Sequence, residues 1–188
     1  MAASVDSAAP LPASALPPAV PPAALWLPGS ALPCHEPDAR RRSWLLTPGL
    51  LTQRIREAAG PRFAMHVLQE GAATADGTHV REIDMGCGAE VWLFAHTRVP
   101  AATLAAQPWL GSVGTRTLGE ALAAHDATLE REPLCYAMFG ADTWLVGRAL
   151  THARLPAQNL WVRHSAFRAD GAPFDLYEVF LPAMGGEA

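Results

Sequence analysis

The order of hydrophobic and polar residues predicts two short helices followed by a longer, β-rich part of the chain. In 38–46, charged residues give way to apolar ones, which predicts the first helix. Over 50–59, Leu51, Ile55 and Ala58 share one stripe at helical spacing, and the charged residues fall mostly off it. This spacing predicts the second helix, so both helices are expected to precede the sheet.

Alternation of apolar and polar residues begins after residue 62 and predicts an antiparallel meander. Its expected strands and turns are 63–68, a turn carrying Asp76-Gly77, 78–85, a turn at 86–88, and 90–99. Thr117 and Glu120 then form a capping-box pattern, which predicts a helix through about residue 124. A helical crossover is therefore expected after the meander.

Further strands are predicted beyond this crossover. Residues 128–139 and 143–154 alternate loosely, and 161–168 joins 173–181 through Asp170-Gly171, which is a strong hairpin signal. Strands joined by tight turns, with helices at the start and in the middle, are typical of an α+β fold. We expect a single antiparallel sheet of about six strands.

The N-terminal part of the chain differs in composition from the rest. Eight of the 17 prolines fall in the first 33 residues, together with many alanines and a single charge at Asp6. Such a segment has neither helix-compatible spacing nor a core pattern. We expect residues 1–35 to be a disordered tail and residues 36–188 to form one domain, which is long enough for a sizeable core.

Composition argues against several classes of protein. No stretch approaches the ~20 uninterrupted apolar residues of a membrane-spanning helix, so no membrane association is expected. The net charge is −4, and no basic stripe extends beyond the run from Arg40 to Arg42. A nucleic-acid partner is therefore not expected either.

The cysteines and histidines do not predict a metal site. Cys34, Cys87 and Cys135 are widely spaced and include no C-x-x-C pair, and the seven histidines include no H-x-x-x-H or H-E-x-x-H spacing. The odd number of cysteines is typical of reduced thiols in a cytoplasm.

Two charged residues occupy strand positions that should point inward. Alternation places Arg81 on one face with Ile83, and Glu178 on one face with Leu176 and Phe180. A buried charge is costly unless it is paired or meets a ligand. The pattern is equally compatible with an internal salt bridge between the two residues and with a ligand-binding site.

Four short stretches carry a resemblance to a known family. They are Trp44-Leu-Leu with Leu51-Thr-Gln-Arg54; Val80-Arg-Glu-Ile83; Glu90-Val-Trp-Leu with Thr97-Arg-Val-Pro100 and Thr103-Leu104; and Leu160-Trp-Val-Arg163-His-Ser165 running to Glu178-Val-Phe-Leu-Pro182. In this order and spacing, and with the Thr117-Leu118-Gly119 helix start between them, they resemble the chorismate pyruvate-lyase family. The likeness covers roughly 44–182 and is poorest around 140–156.

The resemblance implies both an activity and a site. The activity would be that of a carbon-oxygen lyase, which eliminates pyruvate from chorismate and leaves 4-hydroxybenzoate for ubiquinone biosynthesis. Arg81 and Glu178 fall at substrate-binding positions with a part in catalysis, and Leu51 and Leu118 fall where the family contacts product through backbone groups on two flaps over a buried pocket. No metal or organic cofactor is implied, and the enzyme is expected to be a cytoplasmic monomer.

The sequence leaves open the partner of the second carboxylate and an alternative function. The second carboxylate of chorismate needs a partner, for which Arg98, Arg163 and His96 are candidates. The alternative function is a non-catalytic sensor of small aromatic acids, because effector-binding domains of some bacterial transcription regulators share the fold. Such sensors are normally fused to a helix-turn-helix domain, and the segment before Trp44 is too short and too poor in charge for one.

Overall fold

The structure, a computed structural model, describes residues 25–72, 76–125 and 128–186 and contains one antiparallel sheet. The strands are β1 (Leu27–Pro28), β2 (Phe63–Ala72), β3 (His79–Cys87), β4 (Glu90–Val99), β5 (Leu129–Arg131), β6 (Cys135–Phe139), β7 (Leu160–Ala169) and β8 (Ala172–Phe180). Their order across the sheet is β1-β6-β7-β8-β4-β3-β2, with β5 paired to β7. The predicted α+β class with a single antiparallel sheet is confirmed.

Helices lie between and before these strands. They are α1 (Leu32–His35), α2 (Ala39–Leu45), α3 (Leu51–Ala59), α4 (Ala101–Ala106), α5 (Leu118–Ala124) and α6 (Trp144–Ala153), with 3₁₀ turns at Gly29–Ala31, Gly60–Arg62 and Pro108–Gly111. Asp38 caps α2 by accepting hydrogen bonds from the backbone N–H groups of Arg40 and Arg41. Among the described residues, no helix is both long and apolar enough to cross a membrane.

The predicted meander and the last hairpin are both present. β2 pairs with β3 and β3 pairs with β4, all antiparallel, and β7 pairs with β8 through the turn at Asp170-Gly171. The chain leaves β4 through α4 and α5, and β8 returns to pair with β4. The sheet therefore joins the two predicted strand groups edge to edge. The predicted turn at Asp76-Gly77 connects β2 to β3, and residues 73–75 of this connection lie outside the described residues.

Both faces of the sheet are covered. On one face, Ile83, Ala95 and Leu176 belong to a buried cluster that also contains Leu51 of α3 and Leu118 of α5. On the other face, strand side chains pack with α6; this cluster contains Phe94, Val162, Val179, Val146 and Leu150. We call these the α3 face and the α6 face.

The helix α6 corrects one prediction, because 143–154 was expected to be a strand. The buried residues Leu145, Val146, Ala149 and Leu150 recur at the spacing of one helix face. Some of these apolar residues are also two positions apart, as in a strand, so the sequence pattern is compatible with both a strand and a helix. The segment is a helix because its apolar stripe covers one face of the sheet.

The strand count and the start of the folded part also differ from expectation. The segment 128–139 is divided into β5 and β6, and β1 adds an edge strand by pairing with β6, so the sheet has eight strands rather than about six. Leu32 is fully buried. The boundary expected at residue 35 therefore lies too late, because β1 pairs with β6 and Leu32 belongs to the core, while residues 1–24 lie outside the described residues and the tail stays a prediction.

Candidate active site

Arg81 and Glu178 project from the same face of the sheet, two strands apart. Arg81 is in register with Thr97 of β4, and Glu178 is in register with Ala95, two residues further along the same strand. Strand spacing then places their Cα atoms ~12 Å apart on the α3 face. Arg81 is 3% exposed and Glu178 is 2% exposed, so both charges are buried as strand alternation predicts.

The guanidinium of Arg81 holds the loop that precedes α5. Its Nη2 donates hydrogen bonds to the carbonyl oxygens of Gly114 and Arg116 over 2.9 and 2.8 Å. Glu70 of β2 holds the same loop from its other side, because its carboxylate accepts hydrogen bonds from the N–H groups of Val113 and Gly114. The loop is thus fixed to β2 and β3 by two side chains of opposite charge.

Arg81 keeps donors that the protein does not use. Its Nε is buried, makes no hydrogen bond with any described residue, and lies 3.7 Å from Oε1 of Glu70. Burial lowers the pKa of Arg81, and the carboxylate of Glu70 offsets part of this effect. The side chain stays cationic near neutral pH, since the pKa of an arginine lies far above neutrality. A buried cation with an unused N–H group is suited to an anionic ligand.

Glu178 is paired with Arg163 of β7, its direct cross-strand neighbour. Nε of Arg163 donates to Oε2 of Glu178 over 2.6 Å, and the two side chains are 0% and 3% exposed. The same guanidinium donates to the carbonyl oxygens of Thr47 and Gly49, in the loop before α3. Oε1 of Glu178 accepts no hydrogen bond from the described residues, so one oxygen is fixed and the other is available to a ligand.

The two guanidinium groups therefore secure two equivalent loops. The loop held by Arg163 leads into α3, which begins at Leu51, and the loop held by Arg81 leads into α5, which begins at Leu118. The first N–H groups of a helix have no acceptor within that helix. The backbone N–H groups of Leu51 and Leu118 are therefore potential donors above the α3 face.

The starts of α3 and α5 also approach each other. A Cβ atom added to Gly119 would lie 2.8 Å from Cδ1 of Leu50, and the guanidinium of Arg56 lies 3.3 Å from the carboxylate of Glu120. α5 is further stabilised by the predicted capping box, in which Thr117 and Glu120 each accept a hydrogen bond from the other's backbone N–H. The two helices form one cover over the α3 face.

This chain is similar to proteins of a known enzyme family. The family model described as chorismate lyase matches residues 20–185. The chain belongs to the chorismate lyase family. A relative from Azoarcus sp. (strain BH72), named "Probable chorismate pyruvate-lyase", is 37% identical over 180 residues, covering 86% of this chain and 92% of the relative. A relative of the same name from Thiobacillus denitrificans is 33% identical, covering 85% and 89% respectively.

A third relative with this name, from Shewanella sp. (strain ANA-3), is 32% identical and covers 78% of this chain and 82% of its own length. Among solved structures, the PhnF C-terminal domain superposes with a TM-score of 0.49 at 14% identity, covering 72% of this chain and 89% of that domain.

Further polar groups on the α3 face have no hydrogen-bond partner in the part of the chain that the structure describes. Nε2 of His79 and Oγ of Ser165 are both buried without a hydrogen bond. His79 is two residues from Arg81 on β3, and burial lowers its pKa more than Glu70 raises it, which favours the neutral ring. Ser165 is two residues from Arg163 on β7. Unsatisfied polar atoms therefore lie at both ends of the candidate site of this chorismate lyase family member.

The three candidates for the second carboxylate are separated by the sheet. Arg163 lies on the α3 face beside Glu178, whereas His96 and Arg98 lie on the α6 face. Nδ1 of His96 makes a hydrogen bond with Glu82, which also pairs with Arg148 of α6. His96 and Arg98 therefore cannot reach a ligand held by Arg81, and Arg163 is already engaged by Glu178 and two carbonyl oxygens.

Strand periodicity predicts the two buried charges but not their partners. The internal salt bridge considered between Arg81 and Glu178 does not form, because Glu70 and Arg163 occupy the respective neighbouring positions. Counting in twos along β7 would have placed Arg163 and Ser165 on one face. Glu70 gave no such signal, since a bulge between Val67 and Gln69 shifts the register of β2.

Within residues 25–72, 76–125 and 128–186, no group of three histidine, cysteine, aspartate or glutamate side chains is arranged to hold a metal ion. The three cysteines are free thiols, and Cys87 is buried in β3.

Proposed function

We propose that this chain is a chorismate pyruvate-lyase, which eliminates pyruvate from chorismate and leaves 4-hydroxybenzoate, with Arg81 and Glu178 as its catalytic pair. The observation that carries the proposal is the placement of these two buried charges on one face of the sheet, beneath the starts of α3 and α5. Membership in the chorismate lyase family supports the same reaction.

The substrate explains why two opposite charges are needed. Chorismate has a ring carboxylate, a hydroxyl at the opposite end of the ring, and an enolpyruvyl ether on the carbon beside that hydroxyl. The ring–oxygen bond of the ether breaks, and its electron pair leaves on the oxygen of the enolpyruvyl group. The ring loses a proton from the hydroxyl-bearing carbon and becomes aromatic, and the methylene carbon of the released enolpyruvate takes up a proton to give pyruvate. Neither fragment is oxidised or reduced overall by an external reagent, so the proposal includes no cofactor and no metal.

Arg81 binds the ring carboxylate. It offers Nε and Nη1 as donors, and a charge-assisted hydrogen bond is strong where water is excluded. Nη2 stays with the carbonyl oxygens of Gly114 and Arg116, so the same side chain orients the substrate and holds the cover closed. The position of the substrate ring therefore depends on the position of α5.

Glu178 meets the ring hydroxyl. Arg163 fixes Oε2, and Oε1 accepts the hydrogen bond of the hydroxyl group. From this position the carboxylate is also adjacent to the carbon that loses its hydrogen, so it can take part in proton transfer. Leu51 and Leu118 complete substrate binding through their backbone N–H groups.

The cellular role follows from the reaction. We propose that the 4-hydroxybenzoate enters ubiquinone biosynthesis, and that the enzyme works in the cytoplasm as a monomer on a small-molecule substrate, with neither nucleic acid nor membrane as a partner.

The test is direct conversion of chorismate. Purified protein is incubated with chorismate in buffer treated with a chelator, and 4-hydroxybenzoate and pyruvate are quantified. Equal amounts of the two products are expected from the wild type, and Arg81→Ala and Glu178→Ala are expected to lose turnover. Matched controls are Arg168→Ala and Glu132→Ala, which remove an arginine and a glutamate that are exposed and lie 3.9 Å from each other, and both should keep wild-type turnover.

A different outcome identifies the alternative. If the wild type releases neither product but binds 4-hydroxybenzoate in a thermal-shift assay, the chain is a sensor of small aromatic acids instead. Binding lost in Arg81→Ala would then assign the same site to that sensor.

A further inference from the structure

Two polar groups of the α3 face, Nε2 of His79 and the hydroxyl of Ser165, have no role in the proposed reaction, and Ser165 is the one beside Glu178. Ser165 is 1% exposed, and its Oγ makes no hydrogen bond within residues 25–72, 76–125 and 128–186. A buried hydroxyl without a partner is unfavourable, and alanine would fill nearly the same space without that cost. A ligand oxygen is the partner that would justify a serine here.

The register of the sheet places this hydroxyl at the Glu178 end of the site. Ser165 pairs with Leu176, and Glu178 stands two residues along β8 from Leu176. Ser165 and Glu178 are therefore diagonal neighbours on one face, with Cα atoms ~7–8 Å apart. Arg81 lies on β3, and β4 and β8 separate it from Ser165 on β7. Ser165 is therefore farther than Glu178 from the ring carboxylate that Arg81 binds.

Substrate geometry then selects one oxygen. With the ring carboxylate at Arg81 and the ring hydroxyl at Glu178, the enolpyruvyl ether is attached beside the hydroxyl and is displaced from the line that joins the two charges. β7 runs along the outer side of β8 and carries Ser165 at this end. The ether oxygen is the substrate atom that changes most there, because the electron pair of the breaking ring–oxygen bond moves onto it.

We propose that Ser165 is a catalytic residue whose hydroxyl donates a hydrogen bond to the ether oxygen of chorismate as that oxygen leaves with the pyruvate fragment. The hydroxyl keeps its proton, and the hydrogen bond strengthens as negative charge develops on the oxygen. This inference rests on the proposed function, because it requires chorismate in the orientation set by Arg81 and Glu178.

The experiment compares substrate turnover with product binding. 4-Hydroxybenzoate has the ring carboxylate and the hydroxyl but lacks the ether oxygen. Ser165→Ala is therefore expected to lower kcat by about ten- to a hundred-fold, while the Kd for 4-hydroxybenzoate stays within about two-fold of wild type. Ser165→Cys, which keeps a weaker donor of similar shape, should give an intermediate kcat and covers the case in which the alanine variant does not fold.

Thr103→Val is the matched control, because the hydroxyl of Thr103 is also buried but donates to the carbonyl oxygen of Pro173. It should lower the melting temperature and leave both kcat and the Kd unchanged. Wild-type kcat in both Ser165 variants would overturn the inference, and so would a parallel loss of 4-hydroxybenzoate affinity, which would assign the hydroxyl to the ring oxygen. An inactive wild type would instead refute the proposed function itself.

Discussion

Arg163 donates a hydrogen bond from Nε to Oε2 of Glu178 over 2.6 Å, and neither side chain is more than 3% exposed. The remaining nitrogens of Arg163 reach the carbonyl oxygens of Thr47 and Gly49. One guanidinium therefore orients the carboxylate of the candidate site and fixes the loop that leads into α3. The orientation of Glu178 and the position of the cover are set by the same residue.

This pair predicts a large and non-additive effect on stability. Arg163→Met leaves the carboxylate of Glu178 buried without its partner, so the free energy of unfolding is expected to fall by about 3–5 kcal/mol. Arg163→Met combined with Glu178→Met should cost less than the sum of the single changes, because no unpaired charge remains. Urea denaturation of the four proteins measures the cycle.

A control for this cycle is Arg168→Ala on the same strand. Arg168 is exposed and lies 3.9 Å from Glu132, so its loss should change the free energy of unfolding by less than about 1 kcal/mol. Additive effects of the two methionine substitutions would show that Arg163 and Glu178 do not act as a pair.

Arg81→Lys is expected to weaken binding of 4-hydroxybenzoate although the charge is kept. A lysine cannot reach both loop carbonyl oxygens and a ligand carboxylate from one planar group. The Kd should rise roughly 10- to 100-fold, as for loss of a charge-assisted hydrogen bond. Isothermal titration calorimetry at fixed ionic strength measures it, and Arg148→Lys on the α6 face is the matched control with an expected Kd within about two-fold of wild type. Equal Kd values for wild type and Arg81→Lys would remove Arg81 from carboxylate binding.

The capping box of α5 should control how fast product leaves. Thr117→Ala removes the side-chain acceptor for the N–H of Glu120 and is expected to cost about 1 kcal/mol of helix stability. Because α5 covers the α3 face, the dissociation rate of 4-hydroxybenzoate should rise roughly five-fold, by the same free energy. Stopped-flow tryptophan fluorescence measures this rate.

Asp38→Ala provides the comparison for the capping experiment. It removes the N-cap of α2, where Asp38 accepts hydrogen bonds from two backbone N–H groups. The melting temperature should fall, and the dissociation rate should stay at the wild-type value. If both variants accelerate dissociation alike, general destabilisation rather than the α5 cover governs release.

Stability at acid pH should depend on Glu82 of the α6 face. Burial raises the pKa of Glu82, but hydrogen bonds from His96 and Arg148 lower it by more, so the pKa lies below its ordinary value of 4.5. The unfolded state then binds more protons in this range, and the stabilisation is complete above about pH 4.5 and lost as the pH falls through the folded-state pKa.

The measurement for Glu82 is the free energy of unfolding between pH 3 and 7 for wild type and Glu82→Gln. The variant should be less stable at pH 7, and the difference should shrink as the pH falls below about 4.5. Glu132→Gln, at an exposed position, should follow the wild-type curve. A difference between wild type and Glu82→Gln that does not change with pH would contradict the prediction.

Sequence patterns over a few residues were sufficient to predict the features that depend only on neighbouring residues in the chain. The strand periodicity of β3 and β8 turned Arg81 and Glu178 inward, the spacing of Thr117 and Glu120 located the start of α5, and Asp170-Gly171 located the last hairpin. These features depend on alternation, capping and turn geometry, which act over a few residues. The sequence by itself was therefore sufficient for the fold class and for the two central charges.

Tertiary structure decided which residues meet. Arg163 rather than Arg81 pairs with Glu178, because β7 and not β3 is the neighbour of β8 on that side. Glu70 reaches Arg81 only through the bulge in β2, and 143–154 became α6 rather than a strand because its apolar stripe covers a sheet face. Strand order, bulges and the burial of a second face depend on contacts between distant parts of the chain, and no local periodicity encodes them.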